Sequence, residues 1–195
     1  MFLAAAAEVD TINTSELEEL VEATSDERES YEEPPADWDF VLIDTRSNEE
    51  YAAGHINGAI NMPEDEEFAP DMLPEDETEK LVFYGGDCHE WMREAQELGY
   101  ENIYHYEASL IGWERAGNYL TTTPEHVQAL LDSDYTDDAD TLPYLIIDTR
   151  GHATYMESHV PSAQSRPHTV FEEKFLDYMP AEKDVEIITY CGGFF

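Results

Sequence analysis

The sequence predicts an α/β chain of two tandem, equivalent units, each a parallel sheet flanked by helices, and two observations carry that expectation. Residues 41–63, VLIDTRSNEEYAAGHINGAINMP, return 104 positions later at residues 145–167 as LIIDTRGHATYMESHVPSAQSRP. Ile43, Asp44, Thr45, Arg46, Tyr51, His55, Ala59 and Pro63 coincide with Ile147, Asp148, Thr149, Arg150, Tyr155, His159, Ala163 and Pro167, which is far beyond chance. Each copy reads as a short buried strand, an Asp-Thr-Arg at its end, a helix and a His-containing turn. Secondly, apolar strand-like runs alternate with helical ones, the pattern of a parallel sheet whose sites lie at the carboxyl ends of its strands. The repeat divides the chain into residues 10–118 and 119–195.

Residues 14–23 are predicted as a short amphipathic helix, with Ser15 and Glu18 at capping-box spacing and Leu17, Leu20 and Val21 on one side. The second half opens alike, with Thr123 as N-cap, Pro124 at the first helical position and Glu125 before Val127, Leu130 and Leu131. Residues 24–39 and 132–143, each acidic and turn-rich, are expected as solvated loops ahead of the Asp-Thr-Arg strands. Residues 64–79 read as a further acidic loop. Residues 80–84, KLVFY, read as a buried strand that ends at the Gly85-Gly86-Asp87 turn. A helix over residues 88–98 is expected to place Trp91, Ala95 and Leu98 inward, with Gly99 as its cap. A strand over 103–106 and a last helix through Leu110 and Trp113 to Gly117 complete the first unit. In the second, residues 185–190, VEIITY, match KLVFY.

The charge is extreme: 46 acidic residues face nine basic ones, for a formal net charge of −37. Such a chain repels itself at low ionic strength, and a halophilic cytoplasmic setting is the expectation that accounts for it. Binding to DNA or RNA is not expected, because a phosphate backbone requires a basic face. Cys88 and Cys191 lie one in each half, neither in a CxxC pair, which argues against a disulfide framework or a zinc site and for reduced thiols. The apolar start MFLAAAAEVD has no basic flank, and no run reaches the length of a membrane span, so a cytoplasmic protein without membrane contact is expected.

Taken with LIDTR, the stretches EEYAAGHINGAINMP and LGYENIYHYEASLIGW make the chain resemble the rhodanese family of sulfurtransferases from about residue 10 onward. The resemblance implies two tandem rhodanese-like domains. In that family a strand runs into a loop that starts with a nucleophilic cysteine, and the loop N–H groups curl around its sulfur. The cysteine takes a sulfane sulfur from one small molecule, such as thiosulfate or a persulfide, and hands it to a thiol or cyanide. No cofactor is implied. The position falls on Cys191, directly after VEIITY, with Gly192 and Gly193 as loop backbone. The first unit has Gly85 there, so it is expected to be catalytically silent. By analogy with residues 84–118, about 30 residues that would complete the second unit are expected beyond Phe195, and a terminal carboxylate so close to the sulfur would be expected to raise its thiol pKa. The alternative implied function is an inactive rhodanese-like binding or regulatory module. A related phosphatase would need a longer cysteine-to-arginine loop.

The other marked residues have structural explanations. Asp44 with Arg46, and Asp148 with Arg150, are expected as ion pairs that support the loops, since buried charges persist when paired. His55 and His159 open the turn after the helix and are expected to bond to backbone, not to a metal. Cys88 falls three residues past the strand end and is expected in the helix, a buried thiol rather than a reactive one.

Overall fold

Consecutive apolar residues in FVLID and KLVFY suit strands covered on both faces, and the computed structural model places both in the middle of a sheet. The structure describes residues 9–22, 39–133, 144–183 and 185–192. The loops expected over 24–39 and 132–143 lie almost wholly outside these residues. Two units separate after Thr123.

Unit 1 runs β1 (Asp10–Thr11), α1 (Thr14–Glu22), β2 (Phe40–Asp44), α2 (Asn48–Ala53), β3 (Ile60–Asn61), β4 (Lys80–Tyr84), α3 (His89–Leu98), β5 (Ile103–His105) and α4 (Ser109–Arg115). Its five strands lie in the order β1-β5-β4-β2-β3, and each neighbouring pair is parallel. One face packs Ile43, Leu81 and Phe83 against Trp91, Met92 and Ala95 of α3. The other packs Leu42, Val82 and Tyr84 against Leu17 of α1 and Trp113 of α4. Each such large side chain contributes about 1.5–3 kcal/mol when removed from water.

Unit 2 runs α5 (Pro124–Asp132), β6 (Tyr144–Asp148), α6 (His152–Glu157), β7 (Gln164–Ser165), α7 (Phe171–Lys174) and β8 (Glu186–Tyr190). The strands lie in the order β7-β6-β8, again all parallel. Their register repeats that of unit 1: Asp148 is opposite Tyr190 as Asp44 is opposite Tyr84, and Ile147 opposite Gln164 as Ile43 opposite Ile60. The two Asp-Thr-Arg segments thus end equivalent strands. Val127, Leu130 and Leu131 of α5 cover Tyr144, Ile146 and Ile188 on one face. On the other, Ile187 is 44% exposed, whereas its counterpart Leu81 is fully buried.

Three local expectations need correction. The box that starts α1 is Asn13 with Glu16, not Ser15 with Glu18: Glu16 N–H donates to Asn13 Oδ1 (3.1 Å) and Asn13 N–H to Glu16 Oε2 (2.9 Å). An asparagine two residues earlier offers the same reciprocal geometry. Leu98 is exposed, and Met92 joins Trp91 and Ala95 as a buried residue of α3. Gly99, at φ +109°, reverses the chain so that Tyr100 enters the core at the end of that helix. Cys88 precedes α3 as its N-cap residue instead of lying within it. The short edge strands β1, β3 and β7 have too few residues for a two-residue periodicity to show. Among the described residues, no helix is long and apolar enough to cross a membrane.

Candidate functional site

At the carboxyl edge of each sheet the same hydrogen-bonded frame is built twice. Asp44 and Asp148 are fully buried at the ends of β2 and β6. Arg46 Nε donates to Asp44 Oδ1 at 3.0 Å, and its Nη2 reaches Gly54 O at 2.7 Å. Arg150 repeats both bonds, to Asp148 Oδ1 at 3.0 Å and Ser158 O at 2.7 Å. From the neighbouring strand, the Tyr84 hydroxyl accepts from Ile56 N–H and the Tyr190 hydroxyl from Val160 N–H. Tyr190 also donates to Asp148 Oδ2 at 2.8 Å. His55 and His159 donate from Nδ1 to Tyr51 O and Tyr155 O, at 2.9 Å each, and stack on those tyrosine rings. Both histidines therefore bond to backbone as expected. Hydrogen bonds from Arg150, and next from Tyr190, outweigh burial and hold the Asp148 carboxyl down at about 2. Burial pushes His55 below its usual value.

Beyond the strand end the two units differ. Cys191 comes one residue after Tyr190 and is exposed. Gly192 is next in the chain, and Gly193 lies outside the described residues. The same step in unit 1 is Gly85, at φ +101°, where a Cβ would stand 2.9 Å from Arg46 Cγ and 3.0 Å from Asp44 Oδ1. The loop beyond it is occupied by a side chain of its own unit: Asp87 N–H donates to Glu64 Oε2 at 2.8 Å, and the same carboxylate lies against Gly86. Cys88 is buried, and burial first, with Asp87 and Glu64 adding to it, pushes its thiol up to about 11. A thiol so placed is held protonated and poorly nucleophilic. Among the described residues no group of His, Cys, Asp and Glu is arranged to hold a metal ion.

The sequence profile of the rhodanese-like domain family matches residues 27–116 and again residues 123–194. The chain belongs to the rhodanese-like family. This rhodanese-like chain is 37% identical over 86 residues to a tRNA uridine(34) hydroxylase of Erwinia tasmaniensis, a match covering 38% of the chain and 24% of the relative. A tRNA uridine(34) hydroxylase of Yersinia pestis is 32% identical over 87 residues, covering 40% and 24%. The chain thus spans about a quarter of the length of the curated relatives it matches. Among solved structures it is similar to EanB, with 17% identity, a TM-score of 0.49 and coverage of 84% of this chain and 41% of that one. It is also similar to a thiosulfate sulfurtransferase from Pseudomonas aeruginosa, with 19% identity, a TM-score of 0.44 and coverage of 95% and 37%.

In this rhodanese-like frame, sequence reasoning locates Asp44, Arg46, Asp148 and Arg150, and the structure joins each pair. It misses Tyr84 and Tyr190, whose bonds cross 28 and 30 residues of sequence, and it misses Glu64. A signal for the tyrosines was present, because KLVFY and VEIITY end in the same residue. Glu64 carried none, being one acid in an acidic run.

Proposed function

We propose that unit 2 is a rhodanese-type sulfurtransferase with Cys191 as its sulfur carrier. The observation that supports this most is the placement of Cys191 directly after β8, beside the Asp148–Arg150–Tyr190 frame, at the sheet edge where parallel α/β folds hold their sites. In the reaction the Cys191 thiolate attacks the outer sulfur of thiosulfate; the S–S bond of the donor breaks and sulfite leaves with its electron pair. A thiol or cyanide then attacks the terminal sulfur of the resulting persulfide, and the Cys191 thiolate is released. Backbone N–H groups of the loop from Gly192 onward are the donors proposed to steady the anionic sulfur. Asp148 and Arg150 position the loop without touching the sulfur. Small-molecule donor and acceptor are the partners proposed. The hydroxylases that share part of the sequence act, by name, on a tRNA uridine; a net charge of −37 opposes such a polyanion here.

Unit 1 supports a second, non-catalytic role for its own half, because Gly85 offers no nucleophile and Glu64 fills its loop. The test is mass spectrometry, after incubation with thiosulfate, of the chain continued by whatever residues follow Phe195 in its gene. One added sulfur atom, removable by cyanide, is expected on Cys191; Cys191→Ser abolishes it and Cys88→Ser leaves it. Sulfur on Cys88 instead, or none with any donor, assigns the whole chain to the binding-module reading.

A further inference from the structure

Between the paired aspartate and arginine of each Asp-Thr-Arg segment stands a threonine, and both units use it in the same way. Thr45 gives its N–H and its Oγ1 hydroxyl to Tyr84 O, at 2.9 and 3.2 Å. Thr149 gives the same two donors to Tyr190 O, at 3.0 and 2.9 Å. The N–H bond continues the parallel ladder between β6 and β8. The hydroxyl bond is additional, since a ladder needs no side chain. A valine would suit the strand end equally well and would supply no second donor.

The accepting carbonyl is the last one before Cys191. A trans peptide unit is planar, with its C=O and N–H on opposite edges, so whatever fixes Tyr190 O also fixes the direction of the Cys191 N–H. Two donors from the β6 side turn that N–H away from β6. Thr149 is itself held, because its own carbonyl accepts from His168 N–H at 3.0 Å and from His168 Nδ1–H at 3.2 Å. A hydroxyl donor also draws electron density from the carbonyl. Hydrogen bonds linked in this way strengthen one another by about 10–30% per bond, so the N–H at the far edge of the peptide becomes the better donor. In unit 1 the same clamp ends on Gly85, where there is no sulfur to serve.

We propose that the Thr149 hydroxyl is a positioning group for Cys191. By pinning the carbonyl of the preceding peptide, it fixes the plane from which the sulfur-bearing residue departs and strengthens the first N–H available to an anionic sulfur. This rests on the sulfurtransferase reading of unit 2. Thr149 acts through that peptide and not on the sulfur donor.

The test uses the chain continued past Phe195 and three variants of it. Thr149→Val removes only the hydroxyl donor, Thr149→Ser keeps it, and Thr45→Val removes the same bond from unit 1. Alkylation of Cys191 by iodoacetamide is followed by peptide mass at about pH 7 and at about pH 10, where an ordinary thiol is ionised without help. Thr149→Val is expected to lower the ratio of the neutral rate to the alkaline rate about threefold, the size of a modest weakening of one N–H bond to an anion. Thr149→Ser keeps the original ratio. Thr45→Val keeps it too, although both valine variants should melt at a lower temperature. A role in stability alone would lower both melting temperatures and leave the ratio unchanged in both, and that result overturns the proposal, as does an equal fall of the ratio in both. Thiosulfate loading is run on the same four proteins. Sulfur taken up by the parent, with an unchanged ratio in Thr149→Val, leaves the sulfurtransferase reading standing without the threonine. A ratio lowered in Thr149→Val alone, with no sulfur loaded on any of the four, keeps the threonine's role and removes that reading.

Discussion

Asp148 remains a charged, fully buried carboxylate because Arg150 and Tyr190 both reach it. Its folded-state pKa of about 2 lies below the ordinary value of 3.8. The stabilisation is therefore complete above about pH 4 and is lost as pH falls through about 2. Arg150→Gln removes the main partner and leaves the carboxylate buried with less to hold it, so the melting temperature at neutral pH is expected to fall by several degrees. The melting temperatures of the two proteins should converge between pH 4 and pH 2; a constant gap across that range would contradict the ion-pair account. The pair was legible in the sequence because aspartate and arginine sit two residues apart at a strand end, and twice. The tyrosine was not, since its bond to Asp148 joins residues 42 apart and depends on the strand order.

The turn after β4 shows why unit 1 cannot be made reactive by one substitution. Gly85→Cys restores the family residue, but φ +101° and the approach of Arg46 and Asp44 leave no room for its Cβ. The expected result is a loss of about 1–3 kcal/mol, seen as a lower melting temperature, with no second sulfur taken from thiosulfate. A variant of unchanged melting temperature that carries two sulfurs would show that the loop adapts. The central strands β2, β4, β6 and β8 were readable as elements, because unbroken apolar runs bounded by turn residues leave few alternatives. The start of α1 was not resolved, since Asn13, Thr14 and Ser15 are all competent capping residues in succession. Only the reciprocal bonds of Asn13 and Glu16 choose among them.

Across the whole molecule, charge is the dominant departure from an ordinary protein, and it was fully visible in composition. A net charge of −37 should make stability track ionic strength, as the screening length falls from about 10 Å at 0.1 M to about 3 Å at 1 M. The melting temperature is expected to rise over that range in KCl; a flat or falling trend would remove the halophile explanation. The repeat was equally plain and placed both frames, yet it could not show that Ile187 stands exposed where Leu81 is covered. The doubled frame also has a genetic meaning. One polypeptide carries two versions of the same hydrogen-bonded scaffold, one ending in a thiol and one in a glycine. A lesion at Asp44 or Tyr84 should be felt as a shortage of folded protein, and the same lesion at Asp148 or Tyr190, under the function proposed for unit 2, as that shortage plus a loss of chemistry. Each copy thereby serves as the other's internal control, and an extragenic boost to folding should rescue only the first class.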